Sequence, residues 1–376
     1  MLFKNGRVYT DQNCYANVDV RVADGMITEV GHELSAENED VLDLRGKRLL
    51  PGLIEIHSHG CGGADFCDGT EEAFSTLASH YIKNGITTVL GTSMTLPLER
   101  LSEIYQAYAK FARGQGPNGA RMIGVHMEGP FLSKEKRGAH DETWIIPADI
   151  DAFDRLMRNS GNRIKIVSVA PEVSGNMRFI KDAAALCTVS IAHTNADNAT
   201  AMDAYDKGAT STTHLFNAMT PMLHRAPGVV GAALDSGSFL ELICDGHHVL
   251  PPVVRAMFAA AGDRICCISD SMRAAGMPEG RYSLGGQTVT VKDGLATLAD
   301  GTIAGSVTNL FSELKLLIEW GIPEEQAIRS VTSNPARAAK IDAQVGSITP
   351  GKHADLLIVD DNFRLEAVYR DGVRQI

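Results

Sequence analysis

Apolar and polar positions alternate with two different periods along the chain. The first 50 residues read as short strands broken by turn pairs: Leu2-Phe3 before Asn5-Gly6, Val18 to Val22 before Asp24-Gly25, then Met26 to Val30, and Val41 to Leu50 around Arg45-Gly46. Asn-Gly and Asp-Gly tolerate the positive φ that tight hairpin turns require. The last residues return to this style, with Ala354 to Val359 and then Val368-Tyr369 before Asp371-Gly372. The two ends therefore predict one small β-sandwich domain, residues 1–50 with 345–376, since chain termini commonly lie close together.

Between them, largely apolar runs recur, each followed by a polar or glycine-rich stretch and a helix-length segment. They are Leu53–Ile56, Thr87–Leu90, Met122–Val125, Ile164–Val169, Thr188–Ala192, Thr210–Thr213, Leu240–Cys244 and Ile265–Ile268. Short apolar runs alternating with helices indicate parallel strands buried on both faces. Eight of them is the number a closed (β/α)8 TIM barrel needs, so residues 51–344 are predicted to form an α/β barrel. An open doubly wound sheet would share this periodicity, but no G-x-G-x-x-G follows the first run. Tyr282 to Asp300 breaks the alternation, and Gly285-Gly286 with Asp293-Gly294 predicts a hairpin on the barrel face. The segments Glu99–Arg113 and Val307–Trp320 read as amphipathic helices with a packing role.

The bulk composition narrows the classes. A chain of 376 residues suits one large domain plus a smaller one, and 44% hydrophobic with 22% charged residues is ordinary for a protein with a sizeable core. A net charge of -11 argues against a nucleic-acid partner, because a phosphate backbone demands a basic face. A few local cations can still hold a small anion. No stretch is apolar enough to span a bilayer, and Met1 to Val20 holds no secretory apolar core. Seven scattered cysteines without a C-x-x-C pair suit free thiols in a reducing compartment, so a cytoplasmic location is expected.

Candidate chemistry lies where the runs end, which in a barrel is the reactive face. His57 and His59 follow the first run, His126 and Glu128 the third, His193 the fifth and His214 the sixth. Asp245, His247 and His248 follow the seventh, and Asp270 the eighth. Seven of the twelve histidines fall at these ends. His57 and His59 lie two apart and share a strand face. Imidazoles converging with a carboxylate make a site for one or two divalent ions, zinc foremost, with iron, manganese or cobalt as alternatives. Such an ion would polarise an amide carbonyl and acidify a bound water. Asp270 could move the proton to a leaving amine, but in Ser269-Asp270-Ser271 it could equally cap a helix.

These residues resemble the amidohydrolase superfamily. Leu50-Pro51-Gly52-Leu53-Ile54-Glu55-Ile56-His57-Ser58-His59-Gly60 is similar to its first-strand motif, and Asn334-Pro335-Ala336 with Gly351 to Leu356 to its closing signature. Narrower motifs resemble the N-acetylglucosamine-6-phosphate deacetylases: His126 to Phe131, Gly138-Ala139-His140, Ala192-His193-Thr194, His214 to Met219 and Asp245-Gly246-His247-His248. Many superfamily members bridge two metals with a lysine after the fourth strand, whereas Ser168 to Glu172 has none. The deacetylase family uses a glutamate after the third strand, which matches Glu128.

The resemblance implies a metal-dependent deacetylation of N-acetyl-D-glucosamine 6-phosphate, with Glu128, His193 and His214 holding the main metal and Asp270 as catalytic base and acid. His57 and His59 imply a second metal position bridged by Glu128. His140 is implied as catalytic, polarising the acetyl carbonyl. Ala139, His140, Asn217, Ala218, Arg225 and His248 are implied to contact the sugar phosphate, with Ile303, Ala304 and Gly305 lining the sugar pocket. Without the family, Arg225 would read as a surface salt bridge; within it, Arg225 reaches a neighbouring subunit, implying a homodimer. His126, His224 and His247 read as structural, and Cys61 and Cys67 as packing residues. Rival readings are an N-acetylgalactosamine-6-phosphate deacetylase, a D-aminoacylase, a cyclic amidase, or a metal-binding barrel without catalysis.

Overall fold

A computed structural model describes residues 1–36 and 38–376. All eight predicted runs are strands of one parallel sheet: Leu53–Ser58, Ile86–Ser93, Arg121–Met127, Ile164–Val169, Thr188–Ile191, Ser211–Thr212, Phe239–Ile243 and Ile265–Ile268, in sequential order. Helices follow them in turn, at Glu71–Lys83, Leu98–Gly114, Ile150–Asn159, Asn176–Ala183, Asn198–Asp206, Gly228–Ser236, Pro251–Ala261 and Leu310–Glu319. Several start at side-chain caps that satisfy otherwise orphaned amides. Asp149 accepts from Asp151 and Ala152, Asp197 from Thr200, and Asn309 from Ser312.

The first and eighth strands meet at a seam that backbone and side-chain bonds close together, with His59 N–H donating to the Ser271 carbonyl at 2.9 Å. Asp270 N–H donates to the His57 carbonyl at 3.0 Å. The buried Glu55 carboxylate accepts His57 N–H at 3.0 Å and Ser269 N–H at 3.1 Å. Inside the ring, Leu90, Ile123, Ile166, Ile243, Cys266 and Ile268 form an apolar layer. The helix Ser333–Ala338 closes it at the strand starts, where the Asn334 amide donates to the Ile265 carbonyl at 2.7 Å. A polar layer comes next: His126 Nε2 meets Ser168 Oγ at 2.9 Å, and Thr213 Oγ1 meets Ser168 at 3.1 Å and Ser190 at 2.7 Å.

The predicted excursion on the barrel face is a three-stranded antiparallel sheet, Gly280–Leu284, Gln287–Lys292 and Leu295–Thr297. Its Leu284, Val289, Val291 and Ala296 pack with Met94, Ala139 and Met272, fixing it over the strand ends. The chain ends form a four-stranded and a six-stranded sheet, the latter pairing Leu356–Val359 with Arg48–Pro51. Both contribute to one apolar core containing Phe3, Val8, Val20, Leu49, Ile358 and Tyr369. Arg121, on the third barrel strand, reaches this part through Asp355 and Asp371, each at 2.6 Å.

Candidate metal centre and active site

The strand ends deliver their polar residues to one place. His193, His214 and Asp270 leave their strands with φ of 43°, 30° and 48°. Such left-handed turns cost non-glycine residues on the order of 1–3 kcal/mol each and persist where the surrounding structure enforces them. No helix begins after Asp270, whose successors are a bridge and turns, so the capping alternative does not apply.

Glu128 lies at the centre and is buried. Its Oε1 faces His214 Nε2 at 2.9 Å and His193 Nε2 at 3.1 Å. Its Oε2 faces His59 Nε2 at 3.1 Å, and His57 and His140 Nε2 at 3.5 Å. Asp270 Oδ1 is 3.3 Å from His59 Nε2 and 3.5 Å from His57 Nε2. The two oxygens of Glu128 thus split the cluster into two potential ion sites that share it.

The outer hydrogen bonds of these rings show what the centre requires. His57 Nδ1–H donates to Glu241 at 2.9 Å, His193 Nδ1–H to the Lys136 carbonyl at 2.8 Å, and His59 Nδ1–H to the Thr92 carbonyl at 3.3 Å. A neutral imidazole with its proton on Nδ1 carries a lone pair on Nε2. Three such lone pairs aim at carboxylate oxygens, and acceptors facing acceptors need cations between them. Ring protons serve in the free protein: burial opposes the charge on His57 and His59, yet Glu128 and Asp270 outweigh it, lifting His57 well above its usual range and His59 to about 9. Burial likewise acts to raise Glu128 and Asp270, but the histidines hold Glu128 far below its usual range and Asp270 at about 2. A divalent transition ion meets the same demand with neutral rings, and imidazole with carboxylate is its preferred donor set.

A cavity of about 330 Å³ opens above this centre. Its wall includes His59, Glu128, His193, His214 and Asp270, and also Ala139, His140, Asn217, Ala218, His248, Ile303 and Gly305. His57 is fully buried behind that wall. Ala304 differs from expectation: it is buried in the apolar cluster of the excursion, its N–H bonded to the Ala296 carbonyl. Arg225 lies outside the cavity, exposed on a tight turn where Leu223 and Ala226 pair. His140 Nδ1 accepts Thr95 N–H at 3.1 Å, which leaves the ring proton on Nε2, facing Glu128 Oε2 at 3.5 Å on the cavity wall. Burial first, then His193, pushes the His140 pKa down to about 4 and keeps the ring neutral. His248 Nδ1 pairs with Asp245 at 2.7 Å; burial opposes its charge, and Asp245 nevertheless raises its pKa.

Some participants escaped the reading of strand ends. Glu55 and Glu241 sit inside strands, and their only sequence signal is a carboxylate within an otherwise apolar run. Lys136, which adds a cation to the cavity wall, ends the short 3-10 helix Lys134–Lys136, and Thr95 follows the second strand; only the fold shows their position. His126 donates to the Ile56 carbonyl and meets Ser168, so both ring nitrogens are engaged away from the centre.

Comparison with known proteins agrees with this geometry. Residues 48–374 match the model of the amidohydrolase family. An N-acetylglucosamine-6-phosphate deacetylase of Bacillus subtilis is 37% identical over 372 residues, covering 96% of this chain and 93% of its own. An N-acetylgalactosamine-6-phosphate deacetylase of Escherichia coli O157:H7 is 32% identical over 97% of both chains. Among solved structures, a mutant N-acetyl-D-glucosamine-6-phosphate deacetylase of Mycobacterium smegmatis, in complex with N-acetyl-D-glucosamine-6-phosphate, superposes with a TM-score of 0.93 at 29% identity, covering 100% of this chain and 98% of that one. Motifs, barrel and centre converge, and the chain belongs to the amidohydrolase family, in the branch that holds the N-acetylglucosamine-6-phosphate deacetylases.

Proposed function

We propose that this chain hydrolyses the acetamide bond of N-acetyl-D-glucosamine 6-phosphate, giving D-glucosamine 6-phosphate and acetate. The observation that carries the reading is Glu128, held between two histidine pairs at the floor of a cavity with Asp270 beside it. Glu128, His193 and His214 would hold the main ion, and His57 and His59 a second one that shares Glu128. A divalent ion there supplies electrophilic pull on the carbonyl and acidifies water. Asp270 takes the proton of the attacking water and returns it to the nitrogen as the C–N bond breaks. His140, with its proton on Nε2, donates to the carbonyl oxygen where negative charge builds.

The other end of the cavity suits a phosphate. Asn217, the Ala218 backbone and His248 supply donors, with Asp245 keeping charge on His248. Ala139, Ile303 and Gly305 border the sugar, and Ala304 supports that wall from behind. Arg225 acts in the cavity of a second copy, making the enzyme a homodimer; Met222 and Leu223 beside it, 46% and 55% exposed, supply apolar surface for that contact. Residues 51–344 carry the reaction, and 1–50 with 345–376 brace it through Arg121. No helix among the described residues is long and apolar enough to cross a membrane. A cytoplasmic location completes the proposal, supported by seven free thiols, five of them buried.

The test is acetate release from N-acetylglucosamine 6-phosphate, its galacto epimer and unphosphorylated N-acetylglucosamine, with elemental analysis of the same preparation. Turnover of the gluco phosphate with bound transition metal is expected. Equal turnover of the unphosphorylated sugar would remove the phosphate site, and preference for the epimer would reassign the substrate.

A further inference from the structure

We propose that Glu241 is a positioning residue for the His57 side of the centre, setting whether a second ion binds there; this rests on the two-position reading above. Glu241 is fully buried in the middle of the seventh barrel strand. Its Oε2 accepts the Nδ1 proton of His57 at 2.9 Å. Its Oε1 has no hydrogen-bond partner and lies 3.9 Å from His126 Nδ1, whose proton goes to the Ile56 carbonyl. Among the described residues, no lysine or arginine pairs with it.

A buried carboxylate is costly unless a cation lies beside it, and the ring within reach of Glu241 is that of His57. His57 relays the compensation: its Nδ1 serves Glu241 while its Nε2 faces Glu128 and Asp270, each at 3.5 Å. A cation bound at Nε2 would balance Glu241 through the ring, and Glu241 would in turn fix the tautomer and raise the basicity of the ligand nitrogen. The backbone is held separately, because Glu55 takes the His57 N–H. Glu241 therefore acts on the ring and not on the chain path. His193, on the other side of Glu128, is oriented by the Lys136 carbonyl, and among the described residues the ion pairs of Glu241 are with His57 and His126. The side chain of Glu241 therefore acts first on the His57 position.

The experiment is titration of zinc or cobalt(II) into chelator-stripped protein, counting ions and affinities by calorimetry and equilibrium dialysis. The wild type should bind two ions per chain. Glu241→Leu keeps the volume and removes the acceptor; its second ion should weaken roughly 10–100-fold while the first is unchanged. Glu241→Gln, whose amide oxygen still accepts the Nδ1 proton, should show a smaller loss at the same position. It also carries the test alone if the Leu variant does not fold, and an unchanged second ion in it would then overturn the proposal. Two ions of wild-type affinity in Glu241→Leu would overturn the role of Glu241 and leave the two-ion reading standing. Parallel weakening at both positions would also overturn it, as general damage to the fold. A single ion in the wild type would sink the two-position reading itself.

Discussion

Replacing Asp270 by Asn tests the chemical step most directly. The change preserves shape in a side chain only 12% exposed, and the amide oxygen can still face His59 from the position where Oδ1 is 3.3 Å from its Nε2. What disappears is the ability to take and return a proton. Positioned general acid–base catalysis is typically worth 10²–10⁴-fold, or about 2.7–5.5 kcal/mol at ~1.36 kcal/mol per decade. Asp270 contacts His57 and His59 and not His193 or His214, so the ion held by Glu128, His193 and His214 should remain. The assay is steady-state acetate release at saturating metal, with metal content measured on the same sample. The expected result is kcat down by two to four decades, with KM moving little because Asp270 lies at the reacting end. A kcat within a few-fold of wild type at full metal occupancy would falsify the assignment. Loss of the His193/His214 ion would instead move Asp270 from proton transfer to metal binding.

Other expectations reach different parts of the molecule. Arg225→Ala should raise KM for the phosphorylated sugar with little effect on kcat; a KM equal to wild type, measured on the dimer, would remove this side chain from the phosphate site. Arg121→Ala leaves Asp355, whose side chain is 4% exposed, without its cation. Urea unfolding should show a loss of about 3 kcal/mol, as expected when one partner of a buried pair is removed, and a change below about 0.5 kcal/mol would mean Arg121 does not tie the terminal sheets to the barrel. Glu313, fully buried, accepts Cys244 N–H at 3.0 Å and meets Cys267 Sγ at 2.9 Å. Burial, aided by Cys267, pushes its carboxyl well above the ordinary value of 4.5. A raised folded pKa gives stability that is complete below the unfolded value and is lost as pH climbs to the folded one. Glu313→Gln should therefore gain on the wild type above pH ~4.5 by up to about 1.4 kcal/mol per pH unit. Thermal unfolding at pH 5 and pH 8 checks this, and a gap that fails to widen refutes it.

The barrel was legible because strands buried on both faces must be apolar along their length, so Ile164–Val169 and Ile265–Ile268 coincide with their runs. The second strand runs on to Thr92 and Ser93, past the apolar run, since backbone pairing continues where side chains turn polar. The amphipathic Leu98–Gly114 and Leu310–Glu319 were legible from their helical period, with caps setting their exact starts less predictably. The site was legible in outline for a related reason: polar residues at the ends of buried strands have one face on which to gather.

Sequence alone thus determined the period of each segment, the count of strands and which ligand types stand at their ends, because these depend on local patterning and on motifs contiguous in the chain. Only the tertiary structure decided that Asp270 begins no helix, that Ala304 faces inward and that Arg225 lies outside its own cavity. It alone brought Glu241 to His57, 184 residues away in sequence. The reason is physical: which nitrogen of a histidine holds its proton, and which buried carboxylate requires a cation, depend on partners that meet only when the ring of strands closes.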